Sequence, residues 1–313
     1  MITFPKKIEE ISKGGEIRAG GTDLQERRHK KISTGPLIDL RDLTGLDTIE
    51  ASGAGLRLGT KVTIETIANG GLGLDAYPGL IQTAAGLATP QIRHTATLGG
   101  NLLQRVRCWY YRSPEAKCLK KGGGACLARE GDHLFHACID LGPCIAPHAS
   151  SMGVALLAYE ATIELADNQT LTAAGLFGDG KDPTREHTLP PGSFLRAVLL
   201  PAPVANERAA YVRVISRARA EWPLVEVLVR LVIEGEQVKL ARVAIGGVAN
   251  IPLRLKAVEA LLEGKPAIED TWRNAAKPAA EGVSTTLETR YKAPMIVTAI
   301  EDALQKAART GQK

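Results

Sequence analysis

The chain has 313 residues, more than one domain usually contains, so two domains that share an interface are expected. Its net charge of +5 is too diffuse to argue for nucleic acid, and the densest basic run, residues 27–31, is typical of a solvated face or, alternatively, of a partner-binding patch. No apolar run approaches the roughly 20 residues that span a bilayer. The first residues lack the apolar core of a signal peptide, so we expect no export signal on this chain.

The first functional signal is a glycine pair near the N-terminus. The segment Ile17-Arg18-Ala19-Gly20-Gly21-Thr22-Asp23-Leu24 predicts a short strand, a tight turn and a helix capped by Thr22 or Asp23. Backbone N–H groups in such a turn can bind a pyrophosphate, although a plain strand–turn–helix junction gives the same pattern. The segment is neither Gly-x-Gly-x-x-Gly nor the Gly-x4-Gly-Lys-Ser/Thr loop.

The following region predicts a hairpin and two helices before a second glycine-bearing segment. Residues 47–50 and 56–60 alternate like paired strands joined by a turn that contains glycine. One helix is predicted from about residue 63 to 69 with Thr63 as its cap, and another from Pro78 to about residue 88. Pro90 should prevent the second helix from continuing, which leaves a polar loop around Gly99-Gly100-Asn101.

All five cysteines fall between residues 108 and 144. Disulfides there would brace only a small part of a long chain, and the spacings lack the Cys-x2-Cys pair of most structural zinc sites. An iron–sulfur cluster, which four thiolates on loops can hold at variable spacing, is the favoured interpretation, and zinc is the alternative. Nearby donors could offset the thiolate charge. They are Arg105, Arg107, Arg112, Lys117, Lys120, Lys121 and Gly122-Gly123-Gly124.

The rest of the chain changes pattern after a passage rich in glycine and proline. A helix is predicted at residues 152–161 and a strand at 162–165, with a domain boundary after residue 192. Strands are then predicted at 210–214, 224–233 and 238–248, and helices at 253–262, 268–277 and 294–309.

No side-chain pattern for acid–base or nucleophilic catalysis stands out. His94 and His148 are the histidines nearest to the glycine and cysteine motifs, but neither has the spaced Glu or second His of a metal hydrolase. We therefore predict no catalytic side chain. Such a chain is typical of an electron carrier whose cofactor supplies the chemistry.

The two glycine segments together resemble a known pair of motifs. Ala19-Gly20-Gly21-Thr22-Asp23-Leu24, followed by Ile92-Arg93-His94-x-Ala96-Thr97-Leu98-Gly99-Gly100-Asn101-Leu102, resembles the FAD-binding motifs of the flavoprotein subunits of molybdenum hydroxylases. That family includes the flavin subunits or domains of xanthine dehydrogenase, carbon monoxide dehydrogenase and 4-hydroxybenzoyl-CoA reductase. The cysteine segment is similar to the flavin subunit of bacterial periplasmic aldehyde oxidoreductases, which adds a [4Fe-4S] cluster. The resemblance covers essentially the whole chain.

The resemblance implies an α+β fold with two parts. A two-subdomain FAD-binding domain of the PCMH/VAO type would occupy residues 1–192, with the cluster insert at about residues 104–147. Residues 193–313 would form a small domain like the C-terminal domain of the carbon monoxide dehydrogenase flavoprotein, with an antiparallel sheet and helices.

The resemblance also implies the residues that bind the cofactors. The two glycine segments would hold the FAD pyrophosphate from opposite sides. The implied FAD-binding residues are Ala19, Gly20, Gly21, Thr22, Asp23, Leu24, Ile92, Arg93, Thr97, Gly99, Gly100, Asn101 and Ser151. The implied cluster ligands are Cys108, Cys118, Cys126 and Cys144, while Cys138 stands where relatives carry an apolar residue and is interpreted as a buried free thiol.

One position departs from the family pattern. Ser151 stands in place of an Asp whose carboxylate contacts FAD, so we expect Ser151 to cap the following helix and to make a weaker, neutral hydrogen bond to FAD. Arg217 and Lys292 are expected on the surface rather than at the flavin.

The function implied is electron transfer within a heterotrimeric, molybdopterin-dependent aldehyde oxidoreductase. A large subunit would carry the molybdopterin and a small subunit the [2Fe-2S] clusters, and FAD on this chain would pass electrons to an external acceptor. The [4Fe-4S] cluster would be mainly structural. The alternatives are a flavin subunit of the xanthine dehydrogenase or hydroxybenzoyl-CoA reductase type and a non-redox subunit whose cysteines bind zinc. The complex would be periplasmic if a partner carries a Tat signal and cytoplasmic otherwise.

Overall fold

The chain begins with a small parallel sheet. The computed structural model describes residues 1–11, 14–190, 192–218, 220–283 and 288–310. The first strands are β1 (Ile2–Thr3), β2 (Glu16–Arg18) and β3 (Leu37–Asp39), in the order β1-β3-β2, and α1 (Leu24–His29) lies between β2 and β3 in the chain. In open sheets of parallel strands, ligands bind at the carboxyl ends of the strands. The glycine pair follows β2 at this edge.

A five-stranded antiparallel sheet forms the second part of the first domain. Its strands are β4 (Ile49–Ser52), β5 (Gly55–Gly59), β6 (Thr162–Leu165), β7 (Thr170–Thr172) and β8 (Leu195–Leu200), in the order β4-β5-β8-β6-β7. The hairpin predicted in residues 47–60 is β4 and β5. Since β8 pairs with both β5 and β6, this sheet extends to residue 200, past the domain boundary predicted after residue 192.

Short helices lie between the strands of this domain in the chain and carry the second glycine segment. They are α2 (Ile64–Asn69), α3 (Pro78–Ala85), α4 (Pro90–Thr95), α5 (Leu98–Leu102), α6 (Trp109–Arg112), α7 (Ser151–Ala158) and α8 (Ala173–Phe177). The Thr63 hydroxyl caps α2 as predicted, accepting from the Thr66 N–H at 3.1 Å. Helix α3 ends before Pro90, as predicted, and Pro90 begins the separate helix α4, where a residue without an N–H loses no hydrogen bond. The loop predicted at Gly99 and Gly100 was wrong, because both residues lie in α5.

The C-terminal domain is an antiparallel sheet with helices. Its elements are β9 (Arg208–Val214), β10 (Val225–Glu234), β11 (Gln237–Gly246), β12 (Leu253–Arg254), α9 (Lys256–Leu262), α10 (Glu269–Ala276) and α11 (Lys292–Arg309), with strand order β12-β11-β10-β9. The helix predicted from residue 253 begins three residues later, because residues 253 and 254 pair with β11. The predicted α+β class is confirmed.

The C-terminal sheet joins the two domains through one of its faces. Leu228 of β10 and Ala244 of β11 belong to the apolar core that also contains Met152 and Val154 of α7. Val227 and Val243, on the opposite face, pack in a second core with Ile300 of α11. The sheet is therefore buried on both sides. Within the described ranges, no helix is long and apolar enough to cross a membrane.

Candidate functional site

The turn after β2 presents a row of unpaired backbone donors. Over the described residues, the N–H groups of Gly20, Gly21, Thr22, Asp23 and Leu24 donate to no protein acceptor, and the intrahelical ladder of α1 begins with the Gln25 N–H, which donates to Gly21 O at 2.9 Å. Gly21 has φ +70°, a left-handed conformation that favours glycine. Consecutive unpaired N–H groups beside a helix start form a binding place for an anion such as a pyrophosphate.

The second glycine segment contributes close packing rather than free donors. The N–H groups of Leu98 and Gly99 donate to Val62 O and Thr60 O at 2.8 and 2.9 Å, and the Gly100 N–H donates to the Thr97 hydroxyl at 3.2 Å. A Cβ at Gly99 would lie 2.8 Å from the Thr60 Cβ. Of the two glycine segments, the first therefore offers more free amides to a phosphate than the second does.

The two glycine segments touch each other directly. A Cβ at Gly20 would lie 1.9 Å from the carbonyl oxygen of Thr95, at the end of α4. Only glycine fits at this contact, because the atom that would be displaced belongs to the backbone. Two motifs more than seventy residues apart thus form one wall.

All thirteen residues implied for FAD binding line two adjoining clefts. The first cleft contains the first glycine segment with Thr97, Gly99 and Gly100. The second contains Ile92, Arg93, Asn101 and Ser151. The clefts share Thr22, Asp23, Gly100 and Gln104, so they are continuous. Sequence reasoning missed further lining residues, among them Thr60, Lys61, Phe194, Arg213 and Trp222, which lie outside both motifs and gave no local signal.

Asp23 is the centre of a buried ion-pair network. Its carboxylate contacts Arg27, Arg107 and Arg112 at 2.9, 2.7 and 2.6 Å and accepts the Arg105 N–H at 3.2 Å. Burial alone would raise the pKa of Asp23, but the charges of Arg107 and Arg112 and the hydrogen bond from Arg112 hold it below its usual value. Asp23 precedes α1 without capping it, contrary to the prediction, because its carboxylate is committed to these arginines.

The start of α7 is tied to the second glycine segment. Asn101 Oδ1 accepts from the Ser150 hydroxyl at 2.7 Å and from the Met152 N–H at 3.4 Å. Ser150, not Ser151, is the cap of α7, since its Oγ accepts the Gly153 N–H at 2.9 Å. Assigning the cap to Ser151 was therefore wrong by one residue.

Ser151 is instead a buried residue between the second cleft and an acidic side chain. It is 1% exposed and hydrogen-bonds with Glu226 and Tyr211. Burial raises the pKa of Glu226, although the hydrogen bonds from Ser151 and Tyr211 oppose this shift, and the Tyr211 hydroxyl donates to Glu226 at 2.5 Å. The carboxyl group of Glu226 thus contacts Ser151, which occupies the position where the family pattern has Asp.

Four of the five cysteines line one small cavity. They are Cys108, Cys118, Cys126 and Cys144, the four that the resemblance implies as ligands, and none of the five cysteines forms a disulfide. Cys138 lies elsewhere, 1% exposed in the core of the C-terminal domain. Over the described ranges, no group of three or more His, Cys, Asp or Glu side chains could hold a metal ion as it stands.

The donors around this cavity suit thiolates. Cys108 accepts from the backbone of Tyr110 and Tyr111, Cys126 from Ala128 and Ile145, and Cys144 from Ala146. The hydrogen bond from Cys144 lowers the pKa of Cys126 to about 5 and raises that of Cys144 itself. Thiolates are the form that binds metals.

The basic residues near the cysteines only partly serve the predicted role. Lys120 lines the cavity and lowers the pKa of Cys144, although less than the Cys126 hydrogen bond and burial raise it. Arg105 pairs instead with Glu186 at 2.9 Å, and Arg107 and Arg112 pair with Asp23. These arginines connect the cysteine segment to the first glycine segment rather than offsetting thiolate charge.

Two histidines and a lysine lie where the sequence gave little guidance. His136 makes a contact that was not predicted, because its Nε2 lies 3.2 Å from Cys108 Sγ. His148 accepts the Ser150 N–H at 3.2 Å and lines neither the cysteine cavity nor the FAD clefts. The surface position expected for Lys292 was wrong, because this side chain is fully buried and its Nζ donates to Gly247 O at 2.9 Å. Arg217 is exposed as expected.

Comparison with known proteins gives the family. The family model for the FAD binding domain in molybdopterin dehydrogenase matches residues 7–203, and that for the CO dehydrogenase flavoprotein C-terminal domain matches residues 210–308. The chain is 36% identical to the aldehyde oxidoreductase FAD-binding subunit PaoB of Escherichia coli (strain K12) over 278 residues, 86% of each protein.

Solved structures share the fold. Quinoline 2-oxidoreductase from Pseudomonas putida 86 is similar with a TM-score of 0.77 at 20% identity, over 100% of this chain and 98% of that one. The cyanide-inactivated Cu,Mo-CO dehydrogenase is similar with a TM-score of 0.76 at 20% identity, over 98% and 96%. The chain therefore belongs to the FAD-binding subunits of the molybdopterin dehydrogenases, or molybdenum hydroxylases, and is the flavoprotein part of an oxidoreductase.

Proposed function

We propose that this chain holds FAD in the two adjoining clefts and a [4Fe-4S] cluster in the four-cysteine cavity, as the electron-transfer subunit of a molybdopterin-dependent aldehyde oxidoreductase. The 36% identity to an aldehyde oxidoreductase subunit supports the substrate class. A large molybdopterin subunit and a small [2Fe-2S] subunit would complete the assembly. FAD, when bound, supplies the chemistry that links electrons from the partner clusters to an external acceptor.

The unpaired N–H groups of residues 20–24 are the observation that carries the flavin assignment. Five consecutive donors at the carboxyl edge of a parallel sheet can neutralise two phosphates without a bulky cation. Arg27 and Arg107, which line the same clefts, are already paired with Asp23 and serve to fix the turn. The protein's part is to bind, orient and exclude water, since no acid–base side chain is required of it.

Backbone donors around the cysteine cavity favour a cluster. A structural zinc ion and a four-iron cluster can both take four thiolates. A four-iron cluster spreads its thiolates around a larger body and is stabilised by N–H donors to sulfur. Five backbone donors to three of these cysteines match that need.

Iron content of the purified subunit tests the ligand assignment. Cys126→Ser should lose iron, because it removes a thiolate that two backbone N–H groups stabilise. Cys138→Ala is the matched control and should keep its iron, since Cys138 lies in another core. A Cys138 variant without iron beside a Cys126 variant with full iron would overturn the assignment. A colourless protein that contains zinc would favour the non-redox alternative.

Substrate turnover by the native complex separates the remaining alternatives. We expect oxidation of aldehydes, with bands near 450 nm bleached by substrate, as flavin chemistry generally gives. Turnover of purines or of a hydroxybenzoyl thioester without aldehyde turnover would favour a flavin subunit of the other types.

A further inference from the structure

A third cavity lies between the FAD clefts and the cysteine cavity. It measures about 410 Å³, within the roughly 300–1,000 Å³ typical of ligand sites. It shares Arg107, Ala149, Glu221 and Trp222 with the second FAD cleft, and it shares Cys108 with the cysteine cavity. An occupant would therefore be adjacent to both cofactor sites.

The walls of this cavity are aromatic and unusually exposed. Trp109, Phe135 and Trp222 line it with 36%, 44% and 50% of their surface accessible. Trp109 and Phe135 meet edge to face at 6.2 Å, and the guanidinium of Arg107 lies 4.4 Å from the ring centre of Trp222. Large exposed rings that converge on one space indicate a ligand with a flat apolar body.

The charges around the cavity balance. Arg107 is paired with the Asp23 carboxylate at 2.7 Å. Arg217 and Glu221 line it with opposite charges, and the charge of Arg217 helps to lower the pKa of the Glu221 carboxyl. A dinucleotide or another multiply charged acceptor would need a surplus of positive charge, which these offsetting charges do not provide. The chemistry favours a neutral ligand.

We propose that this cavity binds a quinone as the electron acceptor of the flavin. The inference rests on the proposed function, because FAD supplies the electrons. The quinone gains two electrons and two protons, so that both carbonyl oxygens become hydroxyls, and FADH₂ returns to FAD. The quinone ring packs against the side chains of Trp109 and Phe135. Trp222 lies between the quinone and the second FAD cleft.

The test uses the assembled complex with 1,4-naphthoquinone as probe and Phe135→Ala as the main variant. Phe135 lines neither FAD cleft, so its removal leaves the flavin site intact. We expect a rise of about tenfold in the naphthoquinone KM and in the dissociation constant, since one aromatic contact is lost. Quenching of tryptophan fluorescence measures binding to the oxidised complex without turnover. Phe135→Tyr should restore binding, and Ile268→Ala, which removes a side chain that is 54% exposed elsewhere, should change nothing.

Ferricyanide, a small anion that needs no aromatic wall, separates failure of the inference from failure of the proposed function. Aldehyde-dependent ferricyanide reduction should be equal in wild type and Phe135→Ala. Ferricyanide reduction without saturable naphthoquinone binding would overturn the quinone site and leave the proposed function standing. Absence of aldehyde-dependent ferricyanide reduction in wild type would count against the proposed function, while the fluorescence titration still decides the quinone site. Loss of subunit assembly in Phe135→Ala with unchanged naphthoquinone affinity would show that the rings form a subunit interface, and would also overturn the inference.

Discussion

Removing the charge of Asp23 should destabilise the protein more than any other single polar substitution near the flavin clefts. The Asp23 side chain is 11% exposed and contacts three arginines, of which Arg112 is 5% exposed. Breaking a buried ion pair from one side costs about 3–5 kcal/mol, because the partner charges stay buried without compensation. At about 2–4 °C per kcal/mol for a large domain, Asp23→Asn should lower Tm by roughly 10 °C.

Glu26→Gln provides the matched control. Glu26 approaches Arg107 and Arg112 at 3.5 and 3.4 Å, but its side chain is 43% exposed. An exposed pair contributes about 1 kcal/mol or less, so this variant should melt within a few degrees of wild type. Thermal unfolding of the two variants, followed by circular dichroism with FAD content measured beforehand, makes the comparison. Equal Tm values for the two variants would refute the reasoning.

The same network gives a pH dependence with a definite sign. Because the folded state depresses the pKa of Asp23, its contribution is present above the unfolded value of 3.8 and disappears as the pH falls through the lower folded value. The Tm difference between wild type and Asp23→Asn should therefore be full at pH 7 and shrink below about pH 4. A difference that stayed constant into this acid range would show that the carboxylate charge is not its source.

Three further outcomes can be measured on single variants. Gly100→Val should abolish FAD occupancy while the protein stays folded, because a Cβ there meets only the Thr97 hydroxyl, at 3.0 Å, and otherwise enters the flavin clefts; a folded variant with full flavin would contradict this. Cys118→Ser should lower subunit yield yet keep near-normal turnover in each FAD-replete complex, with cluster loss verified by EPR; turnover near zero with FAD in place would make the cluster an obligatory relay. Burial lowers the pKa of Lys292 to about 8, so stability should rise by up to about 3 kcal/mol as the pH increases from 8 to 10.5. Lys292→Met should remove this rise. If denaturant unfolding gave the variant and wild type the same dependence of stability on pH, Lys292 would not be its source.

Sequence reasoning located the elements whose causes are local. The hairpin of β4 and β5 and the Thr63 cap each depend on a few adjacent residues, and the structure contains both. The residues of the paired glycine motifs line two adjoining clefts, and their assignment to FAD stays a prediction. Even the departure at Ser151 was visible as a missing carboxylate.

The predictions that failed concern groups whose partners are distant in sequence. Asp23 looks like a helix cap, but Arg107 and Arg112, more than eighty residues away, hold its carboxylate. Lys292 is typical of a surface residue in its sequence context, but in the fold its side chain is buried and its Nζ donates to Gly247 O. The loop predicted after Pro90 failed for a local reason, because a proline that ends one helix can also begin the next, and the Thr89 cap marks the start of α4.

The backbone contacts of the cysteine segment set an order for its folding. The N–H groups of Cys138 and Ile139 both donate to Val248 O at 2.9 Å, and the His148 N–H donates to Ala249 O at 2.9 Å. The Tyr291 hydroxyl, at the start of α11, donates to Leu134 O at 2.8 Å. The ribosome makes these anchors about a hundred residues or more after the cysteines. The cysteine segment can therefore reach its final conformation only after the C-terminal domain has been made.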